Sequence, residues 1–128
     1  MKISRLFDGI DDNGGPITSS RRIVTETEEK EKILAFLSGG SLVRAANGKS
    51  KDQIDPTKGK VVPRVFKTDG TWIWTGASRY YLEKYGIAPE EDFLSHIESC
   101  DYQAAMADAQ SRKRAIQVLA DNRRAGSA

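Results

Sequence analysis

His96 and Cys100 are the only histidine and the only cysteine among 128 residues, and they stand four positions apart. On a helix that spacing puts both on one face, where an imidazole and a thiol could share a metal ion or a proton. Zinc takes three or four protein ligands, and no second cysteine or histidine exists to complete a set, so no metal site is expected. A thiolate nucleophile needs a base that is itself oriented by a third group, and none is evident beside this pair. The expectation is a surface histidine and a partly buried cysteine.

The remaining chemistry-bearing types are no more productive. There is no G-x-x-x-x-G-K, and no G-x-G-x-x-G after a strand, so no loop cradles a phosphate and no cofactor is implied. Glu90, Glu91 and Asp92 suit the positive end of a helix dipole better than a general acid and base. The chain is therefore expected not to be an enzyme, with no catalytic residue, cofactor or metal. Arg64, Phe66, Lys67, Trp72 and Trp74 interleave cations with rings that could stack on bases. However, Trp72 and Trp74 lie two apart and share one strand face, the pattern of a core pair, and core packing is the favoured reading.

These residues need elements to hold them. KVVPRVFK and TWIW flank Thr68-Asp69-Gly70, which predicts a β-hairpin, with Pro63 placing its strand at an edge or making it bulge there. Ile3–Phe7 reads as a short strand and ITSSRRIVT as an extended segment, leading into a helix that begins near Glu26 and stops at Gly39-Gly40. Its apolar stripe is Ile33, Leu34 and Leu37. Leu42–Ala46 reads as a strand. A second helix carries Ala77, Tyr81 and Tyr85 and ends at Gly86, with Tyr80 at the rim. A third opens with Pro89 at its first position and buries Phe93, Leu94 and Ile97. A fourth pattern aligns Met106, Ala109, Ile116 and Ala120. Flexible loops are expected over 8–16 and 47–60, and fraying over 123–128. The sum is a single α+β domain over 1–128: a small antiparallel sheet with a β-hairpin, packed against three to four helices.

Composition narrows the roles. A net charge of +2 from 20 basic and 18 acidic side chains argues against a polybasic nucleic-acid binder. The single cysteine points to a reducing compartment, and no apolar run approaches the roughly 20 residues of a membrane span. With no apolar leader after Met1, a cytoplasmic protein is expected. Charge is nonetheless segregated. Residues 83–108 hold seven acidic groups against one basic, and residues 41–70 hold seven basic against three acidic. An acidic helix of this kind suits a basic protein partner, because complementary charge raises association rate and specificity.

The segments VVPRVFKTDGTWIWTGASRYYLEKYGIAPEEDFLSHI and PITSSRRIVTETEEKEKILAFL together resemble small bacterial immunity proteins of contact-dependent or polymorphic toxin systems. The likeness centres on the TDGTWIW turn and the YYLEKYG-x-x-P helix pair. It implies a non-enzymatic domain that binds one cognate toxin domain and neutralises it by protein–protein contact. Such toxins include nucleases with basic clefts, which an acidic surface could occupy. The expected contact residues are Glu90, Glu91, Asp92, Glu98 and Asp101, with Tyr80 and His96 as rim anchors. A nucleic-acid-binding module built on the basic, aromatic hairpin is the second reading, and a small enzyme using Cys100 and His96 the third.

Overall fold

The computed structural model describes residues 1–19 and 21–124. Along the chain run β1 (Lys2–Ile3), α1 (Thr27–Ser38), β2 (Ser41–Lys51), β3 (Lys60–Thr68), β4 (Trp72–Thr75), α2 (Gly76–Tyr85), α3 (Glu91–Ser99) and α4 (Ala109–Arg124). This is an α+β fold. The four strands lie in the order β1-β4-β3-β2, antiparallel except that β1 runs parallel to β4 through Lys2–Trp72 and Ile3–Ile73. The sheet is thus mixed rather than purely antiparallel, because the N-terminal strand joins β4 across most of the intervening chain.

The hairpin forms where Asp-Gly predicts it. Asp69 Oδ1 accepts from the amides of Thr71 and Trp72 at 3.0 and 2.9 Å, and Gly70 takes φ +95°. Period-2 alternation then sends Trp72 and Trp74 to one face of β4 and Ile73 to the other. The tryptophans meet Ile33, Phe36 and Leu37 of α1, Leu82 of α2, and Phe93, Leu94 and Ile97 of α3. Trp72 stacks on Phe93 at 5.1 Å between ring centroids, and Trp74, fully buried, donates its indole N–H to Leu37 O at 3.0 Å. On the opposite face Ile73 and Val43 pack against Ala115 and Leu119 of α4.

Several boundaries differ from the sequence reading, each for a local reason. Strand β2 runs on to Lys51, so 47–51 belongs to the sheet and only 52–59 remains as connection. Pro63 lies in an interior strand, not at an edge. Its missing N–H falls where four steps along β2, from Ala45 to Lys49, oppose two along β3, from Val65 to Pro63. Helix α3 opens at Glu91 with Glu90 as N-cap, so Pro89 lies outside it; the Glu90 carboxylate is turned onto Arg5. In α4 the buried stripe is Ala115 and Leu119, one i,i+4 row, while Met106 lies before the helix and, like Ile116, is exposed. The stretch 8–16 is a loop closed by an Ile10–Pro16 bridge. Of the segment expected to fray, Arg123 and Arg124 are helical and 125–128 lies outside the described residues.

Two local structures set the site geometry. Helix α2 stops at Gly86, whose left-handed φ of +72° lets its amide reach Leu82 O. Its neighbour Ile87 then bridges Ile23, tying the extended 22–24 segment to the helix end. Helix α3 ends differently: Asp101 N bonds Glu98 O and Tyr102 N bonds Ile97 O, both at 3.0 Å, while Asp101 and Tyr102 take φ +53° and +59°. This is a Schellman closure made without glycine, and it fixes the backbone of Cys100, the C-cap.

Candidate functional site

Three groups of polar side chains stand out once the fold is in place. The first is the exposed side of α3. Phe93, Leu94 and Ile97 are buried, which turns Glu91, Asp92 and Glu98 outward, and Asp101 is exposed just beyond the helix. Among the described residues none of these four carboxylates takes part in an ion pair. Glu91 and Glu98 flank a cleft of about 350 Å³ whose far wall carries Arg21 and Arg22. Those guanidinium groups are already engaged, Arg21 with Asp8 and Arg22 with Glu29, at 3.1 and 3.0 Å.

The other residues expected to join this surface do not. Glu90 is buried and accepts from Arg5 N at 2.8 Å and Arg5 Nε at 3.2 Å, which ties the N-terminal segment to α3. Tyr80 points to another region altogether. His96 faces the hairpin turn.

The second group centres on Asp52, which is fully buried. Its Oδ1 accepts from the amides of Ile54 and Asp55, both at 2.8 Å, and its Oδ2 accepts from the hydroxyls of Tyr80 and Tyr85, both at 2.7 Å. Beside it Gln53 N donates to Tyr81 Oη at 2.9 Å, and Lys58 Nζ lies 4.7 Å from the Tyr85 ring centroid. Burial alone would raise the Asp52 pKa, but the hydrogen bonds from Asp55, Tyr85, Tyr80 and Ile54 outweigh it and hold the carboxyl below its usual value. The tyrosines move the other way. Desolvation and the bond to Asp52 push Tyr85 up to about 12, and the same bond followed by desolvation raises Tyr80. This arrangement consumes its own polar capacity and fastens the 52–59 connection to α2.

The third group is Asp69, His96 and Cys100. His96 Nε2 lies 2.6 Å from Asp69 Oδ2 and 3.6 Å from Cys100 Sγ. The Asp69 side chain is 3% exposed and that of His96 18%. The helical spacing did put His96 and Cys100 together. The missing third group came from the hairpin turn, 27 positions away, where Asp69 had been legible only as a turn residue.

On the sheet, Trp72 and Trp74 are core residues and offer no stacking face. Phe66 is partly exposed, with the Arg44 guanidinium 5.4 Å from its ring. Arg44, Lys49, Lys51, Lys60 and Arg64 stand exposed along β2 and β3, and among the described residues none is in an ion pair. No helix among the described residues is long and apolar enough to cross a membrane. Comparison with family models, with curated proteins and with solved structures gave no match.

Proposed function

We propose that this domain is an immunity-type binding protein that neutralises a cognate bacterial toxin domain in the cytoplasm by protein–protein contact, without chemistry of its own. The observation that carries the reading is the set of exposed carboxylates on and just after α3, Glu91, Asp92, Glu98 and Asp101, none of them in an ion pair among the described residues, while the apolar face of the helix is locked into the core. Carboxylates left unneutralised on a rigid helix keep their field for a partner. A basic cleft, as in a nucleic-acid-cutting toxin, is the complementary shape and charge. The likeness of the TDGTWIW and YYLEKYG-x-x-P segments to immunity proteins points the same way. Glu90 is buried on Arg5 and leaves the contact set, while Tyr80 and His96, each holding a hydrogen-bond partner within the domain, stay partly exposed.

The test is co-expression with the products of neighbouring genes, scoring rescue of growth, followed by kinetics on any toxin found. Glu91→Lys with Glu98→Lys is expected to slow association at least tenfold at low salt, with the wild-type rate falling steeply as salt rises. Unchanged association in that double variant overturns the acidic side of α3 as the interface, and failure of every neighbouring product to be toxic and rescued overturns the immunity reading.

The exposed cations of β2 and β3 favour one second reading, contact with phosphates of a nucleic acid. Loss of Trp72 and Trp74 to the core leaves that reading a charge stripe with a single surface ring, Phe66. A nucleic-acid complex of this kind loses affinity along a straight line of log K against log salt. An acidic toxin surface would be recognised through the same stripe but would survive nuclease.

A further inference from the structure

We infer that Asp69, His96 and Cys100 form a binding site for a divalent transition-metal cation of the zinc class, joining the β3–β4 turn to the end of α3. Three ligand atoms of three chemical types, one carboxylate oxygen, Nε2 and Sγ, lie within 4.8 Å of one another. Imidazole and thiolate together select zinc and its neighbours over magnesium or calcium, which prefer oxygen alone. A thiolate and a carboxylate beside a neutral imidazole carry two negative charges, which a divalent ion balances.

The spacing suits such an ion. With metal–nitrogen and metal–sulfur bonds of about 2.05 and 2.3 Å, a tetrahedral angle puts the two ligand atoms about 3.6 Å apart. Cys100 Sγ and His96 Nε2 are 3.6 Å apart. The Nε2–Oδ2 separation of 2.6 Å is a hydrogen bond, and replacing its proton by a metal opens it to about 3.4 Å. Sγ also lies 4.0 Å from Nδ1, so it flanks the ring and must turn about the Cys100 Cα–Cβ bond to reach the ion. Coordination releases the thiol proton to solvent, and the hydrogen shared by Nε2 and Oδ2 exchanges through solvent onto Nδ1, which leaves the imidazole neutral.

What surrounds the three ligands is also what a metal site needs. Asp69 Oδ1 is held by two amides, which aims Oδ2, and the His96 ring is set between Phe36 and Trp72 at centroid distances of 6.1 and 6.4 Å. The Schellman closure of α3 fixes the Cα of Cys100. The protein supplies three ligands, so the fourth position is left for water or a partner's side chain, the pattern of an open site rather than a closed structural one. The inference does not depend on what the carboxylates of α3 bind.

The experiment is titration of the reduced, metal-stripped full chain with Co²⁺, read by absorbance, and with Zn²⁺, read by calorimetry. Expected are a thiolate-to-cobalt charge-transfer band in the near ultraviolet, one-to-one stoichiometry, and displacement of cobalt by zinc. Cys100→Ser should abolish the band, and His96→Gln should weaken zinc binding at least about a hundredfold. Asp69→Asn keeps the Oδ1 acceptor for the turn and so tests the ligand without undoing the hairpin. A wild-type protein that binds cobalt with no thiolate band, or zinc affinity unchanged in Cys100→Ser, overturns the site. The first readout needs no variant, so a misfolded substitution cannot obscure it.

Discussion

Asp52 Oδ2 accepts the hydroxyl proton of Tyr85 at 2.7 Å across 33 positions of sequence, and with its other bonds it is the acceptor that holds the 52–59 connection against α2. Asp52→Ala leaves two amides and two hydroxyls without their partner in a part-buried site. A loss of about 3 kcal/mol is expected, measurable by urea unfolding, with Asp52→Asn costing less because one acceptor oxygen remains. The acid side follows from the lowered pKa. Stability supplied by Asp52 is present above its unfolded value of about 3.9 and is lost as pH falls through the lower folded value, so the Asn variant should flatten acid unfolding in that range.

The alkaline side has the opposite sign. Tyr85 holds its proton up to about 12 in the fold against a usual value near 10, so the folded state binds that proton more tightly. Its contribution is complete below pH 10 and is lost as pH rises through about 12. Ultraviolet titration should show three of the four tyrosines ionising late in the wild type, Tyr81 through burial and Tyr80 and Tyr85 through Asp52 as well, with the last two moving earlier in Asp52→Asn.

Gly40 and Gly48 separate backbone strain from crowding. Both have positive φ, +73° and +76°, but a Cβ at Gly40 would meet Thr68 O at 2.7 Å and Trp74 Cη2 at 2.9 Å, while at Gly48 nothing lies within 4 Å. Gly48→Ala should cost about 1–2 kcal/mol for the left-handed backbone alone. Gly40→Ala should cost a further 1–3 kcal/mol or so for pushing on the tryptophan, and a red shift of Trp fluorescence would accompany it.

Asp101 offers a gain. It sits at the left-handed position of the α3 closure, where glycine is the usual residue. Asp101→Gly should raise stability by about 0.5–1 kcal/mol in thermal unfolding. An unchanged or lowered midpoint would mean that the aspartate is not strained there.

How much of this was legible depended on range. The hairpin, the stop at Gly86 and the core role of Trp72 and Trp74 follow from adjacent residues and from period-2 alternation, and the structure keeps all three. The α+β class follows from the order of those elements. Pro89 misled because its fixed φ suits a first turn, yet the chain stays extended through Glu90 to let that carboxylate meet Arg5. The Asp52 knot and the Asp69–His96 pair had no local signature, since their partners lie 27 to 33 positions off and are chosen by packing. An aspartate before Gly or three residues before another Asp reads as a turn former, and nothing in such a pattern says which side chain will arrive from elsewhere.

The sheet has two free borders, and neither invites another strand. At one, β1 is two residues long, too short to act as a template. At the other, β2 is eleven residues long but is interrupted by three register irregularities and carries Arg44, Lys49 and Lys51 in the open. Breaks in the hydrogen-bond ladder and a row of like charges are the two devices that keep an exposed border from pairing with a second copy. The same cations that give β2 its electrostatic character therefore also guard the domain against cross-β aggregation, and neutralising them would expose a border that could grow.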